Sequence, residues 1–198
     1  MPTRHVLLGL LDIMPMSGYD VRRNLDSSLG SIWAASYGQI YPTLHKLAAE
    51  GLIDTREQGV GDRERIVYSI TEAGRTEFRS WLLDPVRYPP YRDPFRFWAS
   101  YLDVIPLNVA RQGILRHISL QEERRDYCVR TAESIRSGEH PMIRARAHQL
   151  EPAALQRLQA TRAMIFTELA AQAKHEIGSA RRLLEFRESL PEQGSHGH

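Results

Sequence analysis

The chain has 198 residues, of which 26 are basic and 24 acidic for a net charge of +2, with 42% hydrophobic and 25% charged residues. This is the composition of a folding chain of one or two domains, and it excludes the disordered, collagen-like and disulfide-stapled classes. The single cysteine, Cys128, excludes an intramolecular disulfide and any multi-cysteine metal site.

No run reaches the roughly 18 consecutive apolar residues of a spanning helix. Val6–Leu11 is short, is followed by Asp12 and lacks a small-residue cleavage site, so no secretory leader is expected. The expected compartment is the cytoplasm. Residues 1–84 carry 9 basic and 11 acidic groups, and residues 85–198 carry 17 and 13. Neither half has the strong positive excess that announces a nucleic-acid binder by charge alone.

Arg4–Met14 places Leu7, Leu10, Leu11 and Met14 at helical spacing. Ser17 is the N-cap expected for a second helix, with Asp20 three residues on favouring its positive end. Val21, Leu25 and Leu29 form its apolar stripe, and Gly30 ends it. A third helix is expected from Ser36, which forms an S-x-x-Q capping box with Gln39. Ile40, Leu44 and Leu47 are its buried stripe, and Gly51 its stop. Pro42 inside it should remove a hydrogen bond and bend the first turns.

A hairpin follows, "LIDTREQ" and "RERIVYSI" joined by "GVGD". Alternation turns Ile66, Tyr68 and Ile70 toward the core and Arg63, Arg65 and Val67 outward. Thr71 caps a fourth helix whose apolar face is Phe78, Trp81 and Leu82. The proline-rich stretch from Asp84 to Pro94 is a connector. Residues 95–190 then read as helix almost throughout: Phe95–Ile105, Asn108–Arg136 and Ala153–Arg187. In the last, Leu158, Ile165, Leu169, Ala173, Ile177, Ala180 and Leu184 recur every three or four residues, interrupted by Arg162. A helix of about 50 Å is long for a small globule. A partner chain is expected on Leu158, Ile165, Leu169, Ile177 and Leu184.

The expected fold is therefore mainly α. A winged helix-turn-helix with a small β-hairpin occupies residues 1–84, a connector 85–94, and an all-helical dimerisation domain 95–190. The third helix fits the major groove of DNA, about 12 Å wide. It leaves Ser36, Tyr37, Gln39, Thr43 and Lys46 largely off its core stripe. Gln39 is the candidate base reader, because an amide pairs with the adenine edge. Arg63 and Arg65 are candidate phosphate or minor-groove contacts near the hairpin tip.

"HVLLGLLDIMPMSGYDVRRNL", "YGQIYPTLHKLAAEGLI" and "RIVYSITEAGR" together resemble the signature of PadR-family transcriptional regulators. "SLGSIWAASYGQIYPTL" and "YRDPFRFWASYLDVI" resemble the long branch with a helical C-terminal domain, which includes virulence-gene activators. The resemblance implies a homodimer on a palindromic double-stranded operator, usually as a repressor. It adds Tyr41 to Tyr37 as a DNA-approaching aromatic. It also implies, for some members, release by a small aromatic effector bound between the domains. Trp33, Tyr88, Tyr91, Phe95 and Trp98 are the aromatics that could line such a pocket or simply pack.

No G-x-S-x-G, G-x-G-x-x-G, P-loop or H-E-x-x-H motif occurs, so neither catalysis, a cofactor nor a metal is expected. The alternative is a non-catalytic protein-interaction or effector-sensing module that uses the winged domain to bind protein. The net −2 of residues 1–84 is its support.

Overall fold

A computed structural model of the chain describes residues 3–25, 37–60, 63–86 and 92–190. These belong to two compact units, residues 1–90 with 141–151, and residues 91–140 with 152–198.

The first unit begins with α1 (Thr3–Leu11), the two-residue strand β1 (Met16–Ser17) and α2 (Gly18–Asn24). The Ser17–Asp20 capping box forms: the Asp20 amide donates to Ser17 Oγ at 3.2 Å, and the Asp20 carboxylate accepts from the Ser17 amide. Met14 lies beyond the end of α1 and is exposed. Leu29, Gly30 and Ser36 lie outside the described residues.

A 3₁₀ turn, Tyr37–Gln39, leads into α3 (Ile40–Ala49). This removes the anomaly expected at Pro42. The α-helix starts at Ile40, so Pro42 sits in the first turn, where amide groups have no intrahelical acceptor to lose. Gln39 is the residue before the helix, and its side chain makes no capping bond. Ile40, Leu44 and Leu47 are buried as their spacing requires. Gly51 ends the helix with φ +70°, a left-handed conformation that costs glycine no Cβ clash.

β2 (Ile53–Val60) and β3 (Arg63–Ile70) form the hairpin, with β1 on the other edge of β3. All pairings are antiparallel; Met16 lies opposite Tyr68 and Ile53 opposite Ile70. Gly59 and Val60, expected in the turn, extend β2. Tyr68 and Ile70 are buried, but Ile66 on the same face is 46% exposed. The hairpin runs past the end of the core there, so alternation alone does not bury it.

α4 (Glu72–Leu83) is capped by Thr71 Oγ1, which accepts from the Gly74 amide at 3.1 Å. Phe78 packs on the core, and Trp81 stacks on His5 with ring centres 4.8 Å apart; Leu82 is exposed rather than inward. Periodicity did not announce α7 (Pro141–Ala147). Met142 enters the same core as Leu7, Leu11 and Leu44, and Arg146 Nη2 donates to Asp12 at 2.5 Å.

The second unit contains α5 (Pro94–Ala99), α6 (Leu107–Arg136) and α8 (Pro152–Ser189). α5 stops short of the expected Ile105; i→i−3 bonds at Tyr101, Leu102 and Val104 carry the chain to Pro106, consistent with the aversion of pre-proline residues to helix. The buried Arg187 satisfies that turn, donating to the carbonyls of Leu102 at 2.9 Å and Ile105 at 3.2 Å. α6 and α8 are antiparallel, as Arg111–Glu188, Arg181–Glu122 and Arg136–Thr167 contacts show. Ile177 and Ala180 pack with Ala110, Ile114 and Ile118, and Leu184 lies against the same cluster. These α8 residues serve the chain's own hairpin. Leu115, next to the buried Ile114 on α6, is exposed. Among the described residues no helix is long and apolar enough to cross a membrane.

Two histidines give the second unit a pH dependence. Burial pushes His117 below its ordinary value, against the opposing pull of Glu176 and Asp93 and with the help of Arg96. Burial, then Arg162, does the same to His140. The unfolded chain, with imidazoles near about 6.5, binds protons first as pH falls. The stabilisation is complete above that value and is lost as pH drops through it toward the folded values. The thermal midpoint should therefore fall between about pH 7.5 and 5.5, and His117→Phe should reduce the slope. An unchanged slope in that variant would remove His117 from the account.

Candidate nucleic-acid interface

The outward face of α3 is built by the same spacing that buries Ile40, Leu44 and Leu47. Gln39, Thr43 and Lys46 run along the flank of that stripe, next to Leu47, and line one groove of about 400 Å³ with Thr3, Arg4 and Pro42. Gln39 and Lys46 are exposed and Thr43 is half-buried. Freed from capping, the Gln39 amide is turned to the groove, where Thr3 Oγ1 donates to Gln39 Oε1 at 3.5 Å. Arg4 is engaged by Glu50 at 2.8 Å and Glu77 at 3.5 Å. Among the described residues, Lys46 is the cation lining this groove that no carboxylate engages.

Tyr41 takes the other flank of α3. It is 49% exposed, and its ring rests on Gly18 of α2, so that a Cβ at Gly18 would come within 2.4 Å of the ring. Tyr68 lies nearby; burial, then Tyr41, raises its phenol above the ordinary value. A second groove, of about 620 Å³, is lined by His45, Thr55, Arg56, Glu57, Ile66 and Tyr68. The exposed Ile66 is thus a lining residue of the hairpin.

Arg65, expected as a phosphate or minor-groove contact of the wing, is tied within the domain: its Nη2 donates to Asp20 at 2.5 Å and to Ser17 at 2.6 Å. Ser36 lies outside the described residues, as do the side chains of Tyr37 and Arg63. Sequence reasoning missed Thr3 as a lining residue and Gly18 as the buried support of Tyr41, and no local pattern marks either one.

The aromatics expected around an effector separate. Trp33, Tyr88 and Tyr91 lie outside the described residues. Phe95 stacks face-on with His117, ring centres 3.6 Å apart, and Trp98 covers Gly113 so closely that a Cβ there would lie 2.4 Å from the indole. Trp98 is a packing residue of the α5–α6 contact. Phe95 also lines a groove of about 480 Å³ with Arg96, Ala99, Glu176, Arg182 and Phe186.

Gly18→Ala should displace the Tyr41 ring rather than unfold the domain, because the obstruction is a half-exposed side chain. Stability should stay within about 1 kcal/mol while duplex affinity falls. A thermal melt and a binding titration on the same sample check both; unchanged affinity would mean that Tyr41's position does not matter to DNA.

Comparison with known proteins adds three findings. Residues 7–80 match the transcriptional regulator PadR-like family. The negative transcriptional regulator PadR of Bacillus subtilis is 34% identical over 107 residues, which span 52% of this chain and 57% of that protein. Its crystal structure with operator DNA superposes with a TM-score of 0.72 at 22% identity, covering 93% of this chain and 97% of that one, and shows a shared fold; PadR has also been solved with p-coumaric acid. The Vibrio cholerae virulence activator AphA is 26% identical with a TM-score of 0.61, covering 96% of this chain and all of that one.

Proposed function

From the premise that residues 7–80 form a domain of the PadR-like transcriptional regulators, we propose that this chain is a cytoplasmic, sequence-specific DNA-binding repressor acting as a homodimer on a palindromic operator. The observation that carries the reading is α3: a helix buried along one stripe, with Gln39 before it and Thr43 and Lys46 on it aligned on a groove at its flank. PadR's operator complex supports the DNA partner, and its name supports repression. Gln39 reads a base edge and Lys46 neutralises a phosphate. The near-neutral charge of the first unit makes non-specific binding weak and leaves discrimination to these contacts.

The second unit supplies the dimer. Leu120, Met164, Ile165 and Phe186 are exposed there and open to a second chain. Leu158 and Leu169 flank Ile165 on α8 and are half-buried in the lone chain. Release is by a small aromatic acid, a reading supported by PadR's p-coumaric acid complex and by the groove in which Phe95 and Phe186 stand with Arg96 and Arg182.

Selection of genomic fragments by the purified protein tests the function. An inverted repeat with half-sites about 34–36 Å apart should be enriched. Gln39→Ala should then lose about 1–3 kcal/mol of discrimination near the half-site centre, and Lys46→Gln should weaken operator and scrambled duplex alike. Failure of the wild-type protein to enrich any duplex would turn the reading toward a protein partner.

A further inference from the structure

Arg65 leaves β3 two residues before Val67, which lies opposite Ser17 of β1. Its Nη2 therefore reaches the first turn of α2 and donates to Ser17 Oγ at 2.6 Å and Asp20 Oδ2 at 2.5 Å. The same carboxylate accepts from the Ser17 hydroxyl at 2.8 Å and the Ser17 amide at 3.4 Å. Burial acts to raise the Asp20 carboxyl, but its bonds to Ser17 and the charges of Arg65 and Arg23 outweigh it and hold the group below its ordinary value. Asp20 is an anion at neutral pH and a fixed anchor for the wing.

Arginine carries five N–H donors in a rigid planar fork. The contacts with Ser17 and Asp20 engage Nη2, while the side chain remains 42% exposed. Its long stem, which loses rotamer freedom on meeting a phosphate, is already ordered in the free protein. We propose that Asp20 is a positioning residue for DNA: it holds the Arg65 guanidinium with its outer edge presented to a backbone phosphate beside the wing. The proposal rests on the DNA-binding reading and adds to it an acidic residue that strengthens binding to a polyanion.

Charge alone predicts the reverse. Residues 1–84 already carry two more acidic than basic groups, and a carboxylate at a DNA-facing surface repels phosphate. The sign of one substitution therefore separates the two. Asp20→Asn, Arg65→Met and the double variant of the full-length protein are titrated with a duplex selected from genomic fragments and with a scrambled duplex, at several salt concentrations. Asp20→Asn should lower affinity for both duplexes about three- to tenfold, as loss of a charge-assisted contact does. In the Arg65→Met background the same change should raise affinity or leave it unaltered, because only repulsion remains to be removed. Asp20→Glu should recover most of the loss.

Tighter binding by Asp20→Asn alone overturns the proposal and leaves the DNA reading intact. Equal weakening in both backgrounds, with a lowered thermal midpoint, assigns Asp20 to helix capping only and also overturns it. Absence of any duplex binding by the wild-type protein overturns the DNA reading and this proposal together.

Discussion

Gly74→Val is expected to leave the winged unit without a stable fold. Gly74 stands in the first turn of α4, where a Cβ would come within 2.1 Å of the Leu52 carbonyl oxygen and 2.8 Å of an Ile70 side-chain carbon. The first of these is backbone and cannot rotate away. It is also in use: Leu52 O accepts from the Thr71 amide at 3.1 Å, Leu52 N donates to Leu47 O at 3.0 Å, and Thr71 Oγ1 donates to Gly51 O at 2.9 Å. One crossing point thus joins the end of α3, the start of β2 and the cap of α4. Separating them breaks hydrogen bonds as well as packing, at a cost of about 3–5 kcal/mol. Small domains are stable by about 5–15 kcal/mol, so the loss is a large fraction of the total. Circular dichroism should show early loss of the winged unit's share of the signal, with the α6–α8 helices retained. A Gly74→Val protein that melts with the wild type would show that α4 can move away from Leu52.

The second large effect concerns assembly. Ile165→Asp combined with Leu169→Asp should convert the proposed dimer to a monomer of 22.7 kDa, because each carboxylate would be taken from water into an apolar seam. Operator affinity should fall by about a hundredfold or more, since the two recognition helices would no longer be linked. Ile165 is 45% exposed in the lone chain, so the protomer itself should remain folded. Ile177→Asp is the contrasting change. Ile177 packs against Ile114 and Ile118 of its own chain, so this charge should melt the α6–α8 hairpin before it tests any interface. Sedimentation with a thermal melt separates the two. A dimer that survives both substitutions at Ile165 and Leu169 would place the seam on another face.

That contrast marks where reading the residues in line stops. Ile165 and Ile177 belong to one apolar recurrence along α8, and a single helix does not say which of its flanks meets α6. The burial of Ile177 is settled by residues some sixty positions away, through small side chains such as Ala173 and Ala180 that are themselves buried. Ile66 teaches the same lesson in the hairpin. It alternates correctly with Tyr68 and Ile70, yet the core ends beneath it. Pro42 is an anomaly only in a helix that starts at Ser36; a 3₁₀ turn puts the start at Ile40 and makes the proline a first-turn residue.

By itself the amino-acid order determined the helix–helix–helix–hairpin–helix order of the first 84 residues, the Ser17–Asp20 and Thr71 caps, the stop at Gly51 and the buried stripe of α3. Each depends on groups within about four residues of one another, whose geometry is set by helical pitch, strand alternation and backbone hydrogen bonding. Only the tertiary structure decided that Tyr41 rests on Gly18, that Arg65 is tied to Asp20, that Arg187 satisfies the turn before α6, and that Met142 returns to the first core. Those pairs are 23 to 135 positions apart in the numbering. No local periodicity couples such distant residues; they meet because burying the apolar faces of the helices brings distant side chains into packing contact and the polar ones among them within hydrogen-bonding reach.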